Sequence, residues 1–211
     1  MRRSLTKEMI AANFKQLALK KPLYKINVRD IIDVCDINKN TFYYHFVDRD
    51  DLVIWVFRNE LANLLRGSRF AELISDTALK NDRYRDLPFY VNMRNPEDDL
   101  NLASFWTLFG NYLYDNEAYY FNILRARGNS NLPKYIFSIY TWQFELDIRY
   151  LLGARRMAEQ DVKFLAGYFC HGCLGWTLSG IRRHSPQVVW PDGGYKNITH
   201  DIMRLIVSNA P

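Results

Sequence analysis

The chain lacks the residue patterns that several common functions require. It has three cysteines in 211 residues, Cys35, Cys170 and Cys173, too few and odd in number for a disulfide framework. No run of about 18 apolar residues occurs, so no membrane-spanning helix is expected. The opening MRRSLTKEMI is basic but has neither the apolar core nor the cleavage site of a secretory signal, and a cytoplasmic location is expected. The sequon Asn197-Ile198-Thr199 then reads as chance. There is no glycine-rich phosphate loop, no GxSxG and no convergent catalytic set. The acids Glu97-Asp98-Asp99 sit at an expected helix start, where the dipole favours them. No enzyme and no cofactor is expected. Cys170-His171-Gly172-Cys173 places two thiols at i and i+3, but structural zinc takes four ligands and no second Cys/His pair exists, so these read as small packing residues and no metal is expected.

What is present is apolar bulk and a lopsided charge. Hydrophobic residues make up 48% and aromatics 15%, enough for a sizeable core. Residues 1–45 carry nine of the 28 Lys and Arg against four of the 23 acids. Beyond residue 45 the two signs balance, so the whole excess of +5 lies at one end. That is the electrostatic footprint of a protein that docks on phosphates with its N-terminal part; the bland alternative is a solubilising surface.

That same end holds the most informative run, Asn27 to Leu52. Asn27 is suited to cap a helix, with Asp30 as its capping-box partner. Val28, Ile31, Ile32 and Cys35 recur at helical spacing. Asp36, Ile37 and Asn38 form a turn, with Ile37 as an apolar plug. Asn38 caps a second helix in which Phe42 and Phe46 face inward. Lys39, Asn40, Tyr43 and Tyr44 are left outward, with Thr41 and His45 at the edges. Asp48 caps the next helix, with Asp51 at its third position. Two short helices joined by a tight turn, the second rich in exposed hydrogen-bonding groups, have the spacing of a helix-turn-helix. In that reading asparagine suits adenine, lysine suits guanine or phosphate, and the tyrosine and threonine hydroxyls suit the backbone. Asn27, Arg29, Asn38 and Arg49 are phosphate candidates, and Arg2 and Arg3 could form a short arm. His45 reads more readily as a packed residue than as a base reader. The competing reading is a helical hairpin that serves packing alone.

These residues resemble the DNA-binding domain of the TetR/AcrR family of bacterial transcriptional regulators. Asn27-Val28, Cys35-Asp36-Ile37-Asn38, Tyr43-Tyr44-His45-Phe46 and Arg49-Asp50-Asp51-Leu52 stand where that family has its helix start, turn, tyrosine-x-histidine-phenylalanine block and lysine-x-x-leucine. Asp36 replaces the usual glycine and Arg49 a lysine. The run INKNTFYYHF resembles the branch that includes regulators of dihydroxyacetone kinase operons. The resemblance covers roughly residues 5 to 60. It implies a homodimer on a palindromic double-stranded DNA operator, repression by operator occupancy as the usual mode, and a small-molecule effector bound in the second domain.

The pattern predicts an all-α fold: a three-helix helix-turn-helix domain over 1–48 and a helical regulatory and dimerisation bundle over 49–211. Helices are expected over about 5–20, 49–66, 98–113, 117–127, 132–152, 159–184 and 195–208. Residues 68–97 are the least readable; a short helix over Phe70–Leu79 and an irregular connection are expected. Phe105, Phe109, Tyr112, Tyr120, Tyr140, Phe144 and Tyr168 are candidates to line an effector pocket, or simply to fill the core. Glu145, Asp147 and Arg149 could orient a ligand or form salt bridges. The small-residue helix around Ala166–Gly180 and the last helix give the expected dimer surface, with Gly167, Cys170, Leu174, Thr177, Ile202 and Leu205 on it; packing within one subunit is the alternative. The rival function is a protein-interaction adaptor whose bundle recruits a partner.

Overall fold

In a computed structural model the chain is all-α. Residues 2–75, 82–91, 102–125, 130–183 and 198–210 are described. The acidic helix start at 97–99, the loop over 186–194, Gly128 and Asn129 of the expected turn, and the side chains of Arg2, Arg3 and Ile198 lie outside them. The elements are α1 (Arg2–Lys20), a 3-10 turn (Leu23–Lys25), α2 (Val28–Cys35), α3 (Lys39–His45), α4 (Arg49–Gly67), a second 3-10 turn (Ala71–Leu73), α5 (Leu102–Asp115), α6 (Glu117–Arg125), α7 (Leu132–Leu152), α8 (Glu159–Arg182) and α9 (Ile198–Ser208). Among the described residues no helix is long and apolar enough to cross a membrane.

Local chemistry sets the N-terminal boundaries. Pro22 follows α1, and the residue before a proline resists helical geometry. The Asn27–Asp30 capping box opens α2, each side chain bonding the other's backbone N–H. Asp36 ends α2 in the left-handed conformation (φ 49°), which aspartate tolerates better than most side chains. The Ile37 N–H then reaches back to the Ile32 carbonyl at 3.3 Å. Asn38 opens α3 by accepting from the Thr41 N–H at 2.8 Å, and Asp48 opens α4 by accepting from the Asp51 N–H at 2.7 Å.

The apolar faces meet in one contiguous core. Ile10, Phe14, Ile31, Phe42 and Phe46 close the first three helices, and α4 carries the core onward through Leu52, Phe57 and Leu61. α1 also grips the bundle. Lys15 pairs with Glu60 of α4 at 2.5 Å, Tyr112 of α5 donates to Glu60 at 3.0 Å, and Asn122 of α6 donates to the Ala18 carbonyl at 2.8 Å. α7 and α8 lie side by side along most of their length. α9 seals α7 with Met203 and Val207.

One expectation is corrected. Over its described residues, 70–75, the stretch expected as a helix from Phe70 to Leu79 is not α-helical; residues 76–79 lie outside the described ones. Ala71–Leu73 is a 3-10 turn, Ile74 pairs with Val91 in an antiparallel bridge, and Ser75 donates to the Tyr90 carbonyl at 3.0 Å. The turn closes along the chain, Leu73 N–H to the Phe70 carbonyl at 2.9 Å, and from Ile74 onward the bonds are met across it.

Candidate nucleic-acid interface

The inner face of α3 is buried and its outer face is exposed. Phe42 and Phe46 are fully buried, their rings 5.8 Å apart, with Trp55 of α4 another 5.8 Å beyond Phe46. On the far side Asn38, Lys39, Asn40, Tyr43 and Tyr44 are exposed, and Thr41 is half-buried. Lys39 Nζ sits over the Tyr43 ring at 5.8 Å, which gathers charge and aromatic surface into one patch. Val47, just past the helix, is also exposed. Asn27 and Arg29 are exposed at the start of α2; the Arg29 pairing with Asp33 at 3.9 Å leaves its side chain 90% exposed.

Of the residues named for DNA contact, His45 is packed, the reading the sequence favoured for it, and Arg49 is placed otherwise. His45 is only 6% exposed, its ring edge-on to Tyr44 and tilted against Phe46. It packs beneath the surface that Tyr44 presents. Arg49 points inward: its Nη1 donates to the carbonyls of Leu23 and Ile26, at 2.9 and 2.8 Å, and its Nη2 meets Asp50 at 3.3 Å. A guanidinium that satisfies two backbone carbonyls braces the turn before α2 and does not reach outward for phosphate.

Sequence reasoning passed over Tyr24 and Lys25. Both are exposed on the 3-10 turn beside Asn27, with Lys25 Nζ over the Tyr24 ring. With Asn27, Val28, Asp48 and Asp50 they line an open groove of about 420 Å³. Their place two and three residues ahead of the Asn27 cap was the available signal. Electrostatics tune the same corner. Asp30 accepts from the Asn27 N–H and from Lys21 Nζ, both at 2.8 Å. The backbone bond first, then the lysine, hold its carboxyl below the ordinary range.

In the C-terminal part the aromatic residues close on one another. Phe105, Phe109 and Tyr140 are mutually in contact at 5.4–6.0 Å between centroids. Phe144 stacks on Trp106 at 5.8 Å, and Tyr112 meets Tyr120 ring to ring and hydroxyl to hydroxyl. All six pocket candidates among these are buried and act as core. Tyr168 is corrected outright: it is 63% exposed on the outer face of α8. Asp147 is committed inside, accepting from Tyr90 at 2.9 Å and Gln143 at 3.0 Å, while Arg149 pairs with Glu159 on the surface.

The dimer candidates divide between two faces. Cys170, Leu174 and Thr177 are fully buried within the subunit, with Thr177 Oγ1 bonded to the Cys173 carbonyl, so they cannot meet a partner. Gly167 is partly exposed, and Ile202 and Leu205 of α9 are exposed. Gly167 and Ile202 line a groove of about 760 Å³ with Phe164 and Tyr168; Phe164, Tyr168 and Trp176 are 70%, 63% and 55% exposed. A Cβ added at Gly167, Gly172 or Gly175 would meet nothing within 4 Å, so nothing inside the subunit requires a glycine there. The Cys170–Cys173 pair points into the core while His171 lies on the exposed face; the three do not converge. Burial raises the Cys170 thiol to about 11 and the Cys35 thiol likewise.

No family model matches the chain. Over 64 residues, 30% of its length, it is 34% identical to the HTH-type dhaKLM operon transcriptional activator DhaS of Lactococcus lactis subsp. lactis (strain IL1403). The match spans 34% of that protein's own length. The solved structure of a dihydroxyacetone kinase operon activator, DhaS, shares the fold over 97% of both chains, with a TM-score of 0.53 and 19% sequence identity. At that identity the likeness is one of fold. Both proteins are named as activators, neither as an enzyme.

Proposed function

We propose that the chain is a TetR-like DNA-binding transcriptional regulator acting as a two-fold homodimer, with one α3 in the major groove of each half-site. The observation that carries this reading is α3 itself, a helix locked to the core by Phe42 and Phe46 whose other face exposes Lys39, Asn40, Tyr43 and Tyr44. The basic excess of residues 1–45 supports it, as does the relative matched over 64 residues. Asn38, Asn27, Arg29 and Lys25 are assigned to phosphates; His45 and Arg49 are assigned to holding the surface in place. The resemblance implies repression, whereas the two proteins found are named activators. This supports activation, and a dihydroxyacetone kinase operon is the first target to examine. The homodimer is assigned to the α8–α9 face, where apolar side chains and glycines are exposed together. An effector bound among the bundle aromatics would have to part rings already in contact.

The test is fluorescence anisotropy on the duplex upstream of the protein's own gene, at two salt concentrations, with a scrambled duplex as control. Selective binding that weakens steeply with salt is expected. Lys39→Ala with Tyr43→Ala should weaken it by about ten- to a hundredfold without lowering the melting temperature. If the double variant binds as well as the parent, the rival adaptor reading takes over and a protein partner becomes the object of search.

A further inference from the structure

We infer that residues 82–91 form a strap that positions the recognition helix, and that Arg83 is the positioning residue that acts on it; this rests on α3 being the DNA-reading element. Within three residues the strap is fastened on opposite sides. On one side Asp82 pairs with the fully buried Arg58 of α4 and accepts from Tyr135 of α7. Arg58 also donates to the carbonyls of Tyr84 and Leu87, and its guanidinium lies over the Phe89 ring at 4.8 Å. Tyr140 donates to the Phe89 carbonyl and Tyr90 donates to Asp147, each at 2.9 Å. Positions 135, 140 and 147 thus tie the strap along α7, the central helix of the bundle.

On the other side the same strap holds the corner between α3 and α4. Arg83 Nη1 pairs with Asp51 at 2.5 Å and Nη2 donates to the His45 carbonyl at 3.3 Å. The Tyr84 hydroxyl reaches Asp51 as well. His45 is the last residue of α3, and a helix leaves its final carbonyls without intrahelical partners and carries partial negative charge there. A cation placed on that carbonyl sets where the helix ends. Asp51 in turn accepts from the Val47 N–H at 2.8 Å, so the turn out of α3 hangs on a carboxylate that the strap holds. Around this corner Lys7 of α1 lies within 5.3 Å of the Phe46, Trp55 and Tyr84 ring centroids. Three consecutive residues, Asp82 to Tyr84, thus join α7 at Tyr135 to the end of α3 at His45, with α4 holding both ends of the link through Arg58 and Asp51.

Arg83 is 47% exposed, so its ion pair adds little to global stability, and this separates positioning from mere support. Hydrogen exchange on the full chain compares the parent with Arg83→Ala, Arg83→Lys and Tyr84→Phe. Arg83→Ala should speed exchange of the amides of residues 43–47 about tenfold, the opening expected on loss of a charged hydrogen bond, with residues 132–152 unchanged. Arg83→Lys should restore part of the protection, and affinity for the upstream duplex should follow the same order. Unchanged exchange at 43–47, or equal loosening of α3 and α7, would overturn the inference. If the parent does not select its duplex, the DNA-reading proposal fails by itself, while the exchange pattern still decides what Arg83 positions.

Discussion

Asp30 carries more at the mouth of α2 than its half-buried position suggests. Its carboxylate completes the capping box and holds Lys21. Its folded pKa lies below the ordinary 3.8. A depressed carboxylate contributes stability that is fully present above its unfolded value and is lost as pH falls through the folded one. Asp30→Asn keeps an acceptor for the Asn27 N–H but removes the charge. Thermal melts from pH 7 to pH 3 should therefore show the variant below the parent at neutral pH, with the two converging as pH drops below 3.8. A constant offset across that range would mean that shape, not charge, makes the cap.

The seven-residue α3 is too short to persist alone, so its cap and its buried face decide whether it exists. Asn38 accepts from both the Thr41 N–H and its hydroxyl. Asn38→Ala should lower the unfolding free energy by about 1 kcal/mol, read from the denaturant midpoint. Asn38→Asp should keep the cap yet place a negative charge beside the phosphates, so stability holds while affinity for the duplex falls. Loss of both together in the Asp variant would count against Asn38 as a phosphate neighbour. The same caps explain what could be read in advance: Asn27, Asn38 and Asp48 announce three helix starts, and Phe42 with Phe46 announces which face of α3 turns inward. Residues 68–75 and 82–91 were opaque because a 3-10 turn, a single bridge and a strap have no period. Their anchor still left a trace, since Arg58 falls on the stripe of Leu61, Ala62 and Leu65, all buried; a cation on a core stripe demands an acid from elsewhere. In α8 large apolar residues occur on both faces, so periodicity could not separate Phe169, buried, from Tyr168, exposed.

At the scale of the molecule, the unresolved tension is an apolar face turned to solvent. Phe164, Tyr168 and Trp176 stand four and eight residues apart on α8, with Gly172 between the last two, and Ile202, Leu205 and Ile206 continue the surface on α9. A two-fold contact would bury the same patch on each copy and space the two α3 helices for two half-sites. In the parent, the melting temperature should then rise with protein concentration; Phe164→Asp with Leu205→Asp should abolish that dependence and sediment as a monomer. Gly172 gives the sharper test. In a subunit alone, Gly172→Ala fills open space and removes a helix penalty of about 1 kcal/mol, so in the monomeric background it should stabilise. Where a partner helix approaches its backbone, the added methyl should instead weaken association, raising the dimer dissociation constant. One substitution that stabilises the monomer and loosens the dimer would locate the partner at Gly172. Stabilisation in both backgrounds would move the interface away from the middle of α8.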